Sequence, residues 1–150
     1  MSSHAVFIKL PQMISRSYMA KGDLGLWITE TVKSYVNESP ENSLKNKAAD
    51  KAWADPLIAF SNGADPLYQF YKEDIGTFFK TPIEWFKTAY PALDLSPGEV
   101  TVISWILPHT QTTKREHRLP RNMPTERWAR ARIMGEAFNS KLRRHLVETL

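Results

Sequence analysis

From Asp23 to Asn37 the residues Leu24, Trp27, Ile28, Val32, Tyr35 and Val36 recur every three or four positions. That spacing lines one face of a helix, and Asp23 is a good N-cap for it. The segment ESPENSLKNKAADKA that follows is polar and lysine-rich, with Pro40 near its start. It carries no period and is expected to form a loop with room for one helical turn. Leu57 to Phe60 are continuously apolar between Pro56 and Ser61-Asn62-Gly63, which predicts a short buried strand and a turn. Asp65-Pro66 then caps a helix that carries Leu67, Tyr68, Phe70, Tyr71 and Ile75 and stops at Gly76. Thr81-Pro82-Ile83-Glu84 has the form of a capping box with proline at the first helical position. It opens a third helix through Trp85, Phe86 and Tyr90, ending before Pro91. The tetrapeptide Ala-Asp-Pro-Leu occurs at Ala54 to Leu57 and again at Ala64 to Leu67, and local turn chemistry accounts for it without a repeat architecture.

After Ser96-Pro97-Gly98, the run from Val100 to Leu107 is interrupted only by Thr101 and Ser104. Such a run predicts a strand buried on both faces. The last element is the longest: Pro124 fits a first helical position, Glu126 suits the positive end of the helix dipole, and no proline follows. Trp128, Ala131, Met134, Gly135, Phe138, Leu142 and Leu146 share one broad face, with Ile133 and Val147 on the other side. A helix apolar on two sides is expected to be sandwiched. The order helix, strand, helix, helix, strand, loop, long helix gives an α/β domain, with α+β as the alternative, helix-rich around a small sheet. Residues 1–21 read as a loosely attached arm and 22–150 as the domain. Two strands seldom make a stable sheet alone, and the helical pattern still runs at Leu150 without a C-cap glycine, so the expectation is a partial domain of a larger protein.

Composition narrows the chemistry. One hundred and fifty residues suit one domain, and 42% apolar with 11% aromatic residues suffice for a core. No cysteine is present, which removes thiolate catalysis, zinc-thiolate sites and cysteine-ligated iron–sulfur clusters from what these residues do alone. Lys9 and Pro11 break the short apolar run near the start and no small-residue cleavage site follows, so a cytoplasmic location without a membrane span is expected. The net charge of +4 is local: from Lys114 onward ten Lys and Arg face four Glu, whereas residues 1–113 hold ten against twelve acids.

The polar loop HTQTTKREHRLPRN between the buried strand and the long helix is the candidate working surface, since α/β proteins place ligands at the carboxyl ends of buried strands. His109 and His117 are eight apart, and His4 and His145 lie elsewhere. None forms a metal-ligand pair, so no metal site is assigned. Arg118, Arg121, Arg127, Arg130 and Arg132 offer bidentate forks for phosphate or carboxylate groups. The competing account is ordinary helix surface, because Glu126 and Arg130, Arg132 and Glu136, and Arg144 and Glu148 are i, i+4 pairs. A nucleic-acid reading would use the same arginines with Trp128, which sits on the core face. Glu73-Asp74 point apart on a helix and read as solvated. Nucleophile-elbow, phosphate-loop and dinucleotide fingerprints are absent from the sequence.

The segments TPIEWFKTAYP and VTVISWILPHT, then the arginine-bearing loop and LPRNMPTERWARARIMGEAFNSKLRRHLVETL, resemble the N-terminal region of epoxyqueuosine-reductase-like iron–sulfur oxidoreductases. ADPLIAFSNGADPLYQFYKEDIG looks like the piece that precedes them in one branch of that family, so the resemblance covers about two thirds of the chain. It implies a nitroreductase-like α/β domain that cradles cobalamin, completed by a C-terminal region with two [4Fe-4S] clusters, acting on transfer RNA. It also implies that this chain alone does not turn over. Where many members carry an Asp-Tyr-His run on the long helix, this chain has Ala137-Phe138-Asn139, and the cysteine motifs are missing. By resemblance Arg130, Arg132 and Asn139 are expected at the cofactor; the loop after the buried strand puts His109, Arg118 and Arg121 at the substrate. The alternative is a small basic module that binds RNA or another polyanion without catalysis.

Overall fold

A computed structural model describes residues 4–7, 21–119 and 122–150. Arg121 lies outside the described residues, as do 8–20. The elements are β1 (His4–Phe7), α1 (Lys21–Glu38), β2 (Leu57–Asn62), α2 (Pro66–Ile75), α3 (Pro82–Ala89), a 3₁₀ turn (Pro97–Glu99), β3 (Thr101–Ile106), α4 (Gln111–His117) and α5 (Glu126–Thr149). They form the expected α/β, helix-rich arrangement around a small sheet, in the order β1-β3-β2. Gly63 N–H donates to the Val100 carbonyl at 2.7 Å, and Ala54 N–H to that of Pro108 at 2.9 Å. Rising numbers on one strand thus meet falling numbers on the other, so β2 and β3 are antiparallel. An antiparallel bridge between Trp53 and His109 extends the pairing.

The central place of β3 follows from its composition. Val102, Ile103 and Trp105 are buried, and adjacent buried positions mean that both faces are covered. Several readings need correction. The arm is not wholly loose, since His4–Phe7 is a strand beside β3; a four-residue edge strand is too short to declare a period. The strand at Leu57 is not buried: β2 has a single neighbour in the sheet, and Leu57 and Phe60 are exposed. Pro124 is not the first helical residue, because Thr125 is the N-cap of α5. Part of the polar loop is the helix α4, started by Thr110, whose hydroxyl accepts from Thr113 N–H at 3.4 Å.

The chain divides into two compact units, with the boundaries inside β2 and β3. The described residues of the first are 21–58, 105–119 and 122–150. Here Ile28, Val32 and Val36 on α1 meet the face of α5 that carries Ala131, Phe138, Leu142 and Leu146, all buried. Tyr35 stacks on His145 with ring centroids 4.6 Å apart and tilts against Phe138 at 5.7 Å. The apolar face of α5 is therefore core, as its period predicts, while Ile133 and Val147 are exposed rather than sandwiched. The described residues of the second unit are 4–7 and 59–104, and its core is built on Phe86, Val100, Val102 and Ile103. Both helix starts read from sequence hold there: Asp65 accepts from Leu67 N–H at 2.9 Å, and Thr81 N–H donates to Glu84 at 2.8 Å. Glu84 also accepts from Lys72, and that hydrogen bond is the first reason its carboxyl sits below the usual range.

Candidate functional site

The first unit surrounds a group of aromatic side chains with two buried polar atoms that lack partners among the described residues. Trp105, projecting from β3, is almost wholly buried, and its indole N–H donates to Asn139 Oδ1 at 2.8 Å. An indole nitrogen can only donate, so the amide oxygen must face it and the amide nitrogen must face elsewhere. Asn139 Nδ2 is buried and has no hydrogen-bond partner among the described residues. Phe138, the preceding residue, stacks on Trp53 with centroids 4.5 Å apart. Trp53 in turn is paired along the backbone with His109, whose Nδ1 is the other buried side-chain atom without a partner among the described residues. Trp53 and Trp105 thus tie Asn139 and His109 into one neighbourhood. Burial first, then the nearby charges of His117 and Lys114, hold the His109 imidazole below its usual range. Near neutral pH it is uncharged.

The loop of residues 39–53, which carries no readable period, is a built part of this unit. Asn42 is buried and makes four bonds. Its Nδ2 donates to the Val36 carbonyl at 2.8 Å and to that of Trp53 at 3.0 Å, and its Oδ1 accepts from Ala52 N–H at 3.1 Å and Trp53 N–H at 2.9 Å. Asn42 therefore fixes the backbone that presents Trp53. Further along, Asn46 and Asp50 bond reciprocally, Asn46 Nδ2 to Asp50 Oδ2 at 2.8 Å and Asp50 N–H to Asn46 Oδ1 at 3.0 Å.

Three basic residues of α5 hold this loop from outside. Arg127 reaches Asp50 at 2.7 Å and Glu116 of α4 at 3.2 Å, Arg130 donates to the Lys45 carbonyl at 3.2 Å, and Lys141 meets Glu41 at 2.8 Å. The Asp50 carboxyl is held below the usual range chiefly by the Asn46 bond, with Arg127 adding and burial opposing. Part of the unexplained positive charge of the long helix is thereby a loop clamp.

The positions expected at a ligand separate accordingly. Asn139 and His109 belong to the aromatic neighbourhood. Arg130 pairs with Glu126 at 2.7 Å and with the loop, so its fork is occupied inside the chain. Arg132, two residues on and about 200° around the helix, is exposed, as is Arg118 at the end of α4. His117 is exposed and lies flat on Trp128, centroids 5.2 Å apart and planes 6° apart, with Nδ1 3.5 Å from Thr125 Oγ1. Sequence reasoning missed Trp53, Trp105 and Asn42. Tryptophan in a strand signals burial only, and a lone asparagine in a polar loop carries no sign that its amide will be enclosed.

Among the described residues no group of three His, Asp or Glu could hold a metal ion, and no helix is long and apolar enough to cross a membrane. Comparison of the chain with family models, curated proteins and solved structures returns no match.

Proposed function

We propose that this chain supplies one wall of the cofactor- and substrate-binding domain of an oxidoreductase similar to the epoxyqueuosine reductases, with cobalamin as the cofactor. The observation that supports the reading is the pair of unpartnered buried atoms, Asn139 Nδ2 and His109 Nδ1. Leaving a buried donor or acceptor unmade costs about 1–3 kcal/mol, so each atom calls for a partner, which in this reading is the bound group. An apolar aromatic wall with a few fixed polar groups is the general composition of a cofactor pocket. Bound cobalamin would supply the low-potential cobalt centre. Asn139 would donate to an amide or carbonyl oxygen of the bound group, held in line by the Trp105 indole. Neutral His109 would accept or donate at Nδ1 according to its tautomer. The electrons must come from clusters outside these cysteine-free residues.

The competing reading, a polyanion-binding module, would use the basic residues left exposed. Arg143 and Arg144 line a shallow groove of about 590 Å³ on α5 with Ser140, Val147 and Glu148. Arg127, Arg130 and Lys141 are already engaged by the loop, which leaves fewer cations for a polyanion.

The test is titration of the protein with hydroxocobalamin, followed by visible absorption. Wild type is expected to bind with a spectral shift. Asn139→Asp keeps the acceptor for Trp105 and removes the Nδ2 donor, and should weaken binding on the order of 10-fold, the loss of one hydrogen bond. Absence of any spectral change, or equal affinity of the variant, refutes the assignment.

A further inference from the structure

Helix α2 sits with the wrong side outward. Leu67, Tyr71 and Ile75 are spaced four apart and form one strip, with Phe70 beside it. None of the helix's residues is buried. Leu67 is 53% exposed, Phe70 55%, Tyr71 40%, Ile75 49%, and Phe78, just past the helix end, 79%. The helix is held instead by its polar side: Tyr68 OH lies 2.6 Å from Ser61 Oγ, and Lys72 pairs with Glu84 of α3. The strip is continuous with its neighbours. Phe70 and Tyr71 have centroids 6.3 Å apart, Tyr71 and Phe79 are edge to face at 6.1 Å, and the Phe78 ring lies against Gly76, where φ is +132°.

We infer that this face is a dimer contact, occupied by the same face of a second copy of the chain in a two-fold arrangement. Large apolar side chains bury roughly 150–250 Å² each, so at the exposures above the five residues offer on the order of 500 Å² per copy. Two copies then cover about 1,000 Å², the threshold for a biological interface and the size of a weak, reversible one. The strip is also self-complementary. Leu67 and Ile75 stand four residues to either side of Tyr71, so a two-fold axis at Tyr71 sets each Leu67 against the partner copy's Ile75 and the two tyrosines against each other. The polar flank does not obstruct this, because Gln69 bonds to Glu73 at 3.0 Å on the far side of the helix. Lys72 brings no unpaired cation into the contact, since Glu84 already neutralises it. The inference is independent of the cofactor assignment.

Sedimentation velocity between about 1 and 100 μM decides it. Wild type is expected to sediment at twice the chain mass at the upper concentrations, and Phe70→Asp and Ile75→Asp each to shift the midpoint upward at least about 10-fold, with unchanged far-UV circular dichroism. Ile133→Asp, on the exposed side of α5, should leave the dimer intact. A wild type that stays monomeric, a dimer indifferent to both α2 substitutions, or one lost through Ile133→Asp overturns the inference.

Discussion

Phe138→Ala tests whether α5 is the packing centre of the first unit. Phe138 is 2% exposed and touches the rings of both Trp53 and Tyr35. Truncating a sealed phenylalanine to alanine costs about 3–5 kcal/mol, the sum of lost transfer energy and the cavity left behind. The position within that range depends on how far Trp53 can fall into the gap. The Asn42 bonds pin the Trp53 backbone at both its N–H and its carbonyl, so little collapse is available and the upper half of the range is expected. For a chain of this length each kcal/mol moves the melting temperature by roughly 2–4 °C, so the expected drop is about 8–20 °C. Phe138→Leu keeps most of the volume and loses only the ring contacts, and should cost about 1–2 kcal/mol. Urea denaturation followed by tryptophan fluorescence gives both values. A loss below about 1 kcal/mol for Phe138→Ala would show that the helix is not packed on Trp53 and Tyr35, and the site built on that stack would go with it.

Asn42→Ala should be as damaging as a core truncation, about 3 kcal/mol or more, because it strands two buried N–H groups and two carbonyls; a loss below about 1 kcal/mol in the same denaturation series would mean that the loop is not held by this amide. Gly63→Ala places a Cβ 2.8 Å from the Pro97 carbonyl and 3.0 Å from the Val100 Cβ and carbonyl, so about 1–3 kcal/mol should be lost, and a neutral calorimetric result would count against that close approach. For His109 the folded state disfavours the proton, so its contribution to stability is complete above the ordinary histidine value of about 6.5 and is lost as the pH falls below it. His109→Gln should therefore flatten the decline in unfolding free energy between about pH 7 and 5, and a variant that declines as steeply as wild type excludes this source.

The parts legible in the sequence are those governed by near neighbours along the chain. The buried face of α5, the i, i+4 spacing of Ile28, Val32 and Val36, and the starts at Asp65 and Thr81 all rest on interactions within a few residues, so periodicity and capping chemistry find them. The double-sided burial of β3 was legible for the same reason. The features that escaped depend on contacts distant in sequence. His4–Phe7 becomes a strand only because β3 lies beside it, Asn42 is a core residue only because residues 52 and 53 return to it, and Arg127 is a clamp only because Asp50 and Glu116 arrive from elsewhere. The α4 helix was hidden by composition, because QTTKREH is as polar as a loop and its one local signal is the Thr110 cap. Of the expected ligand positions, the two in the aromatic neighbourhood were chosen from different arguments, His109 from the loop after a buried strand and Asn139 from a family resemblance. Their shared lack of partners is visible only once the fold has enclosed them.

The hydrogen bond from Gly63 to Val100 makes the intervening segment a closed excursion whose two ends are joined. Ends that meet leave the two strands in place whatever the length between them: about three doublings of loop length separate 64–99 from a tight turn, ~2 kcal/mol of closure entropy, which the burial of Phe86 helps to offset. Length and sequence can drift inside such an excursion while the antiparallel register of β2 and β3 persists. Helix α2 and its outward apolar strip lie wholly within it. Within that segment change is cheap at α2, none of whose residues is buried, and costly at the buried Phe86 of α3, so the surface assigned to self-association lies on its freer part, while Trp105, His109 and Asn139 lie outside it.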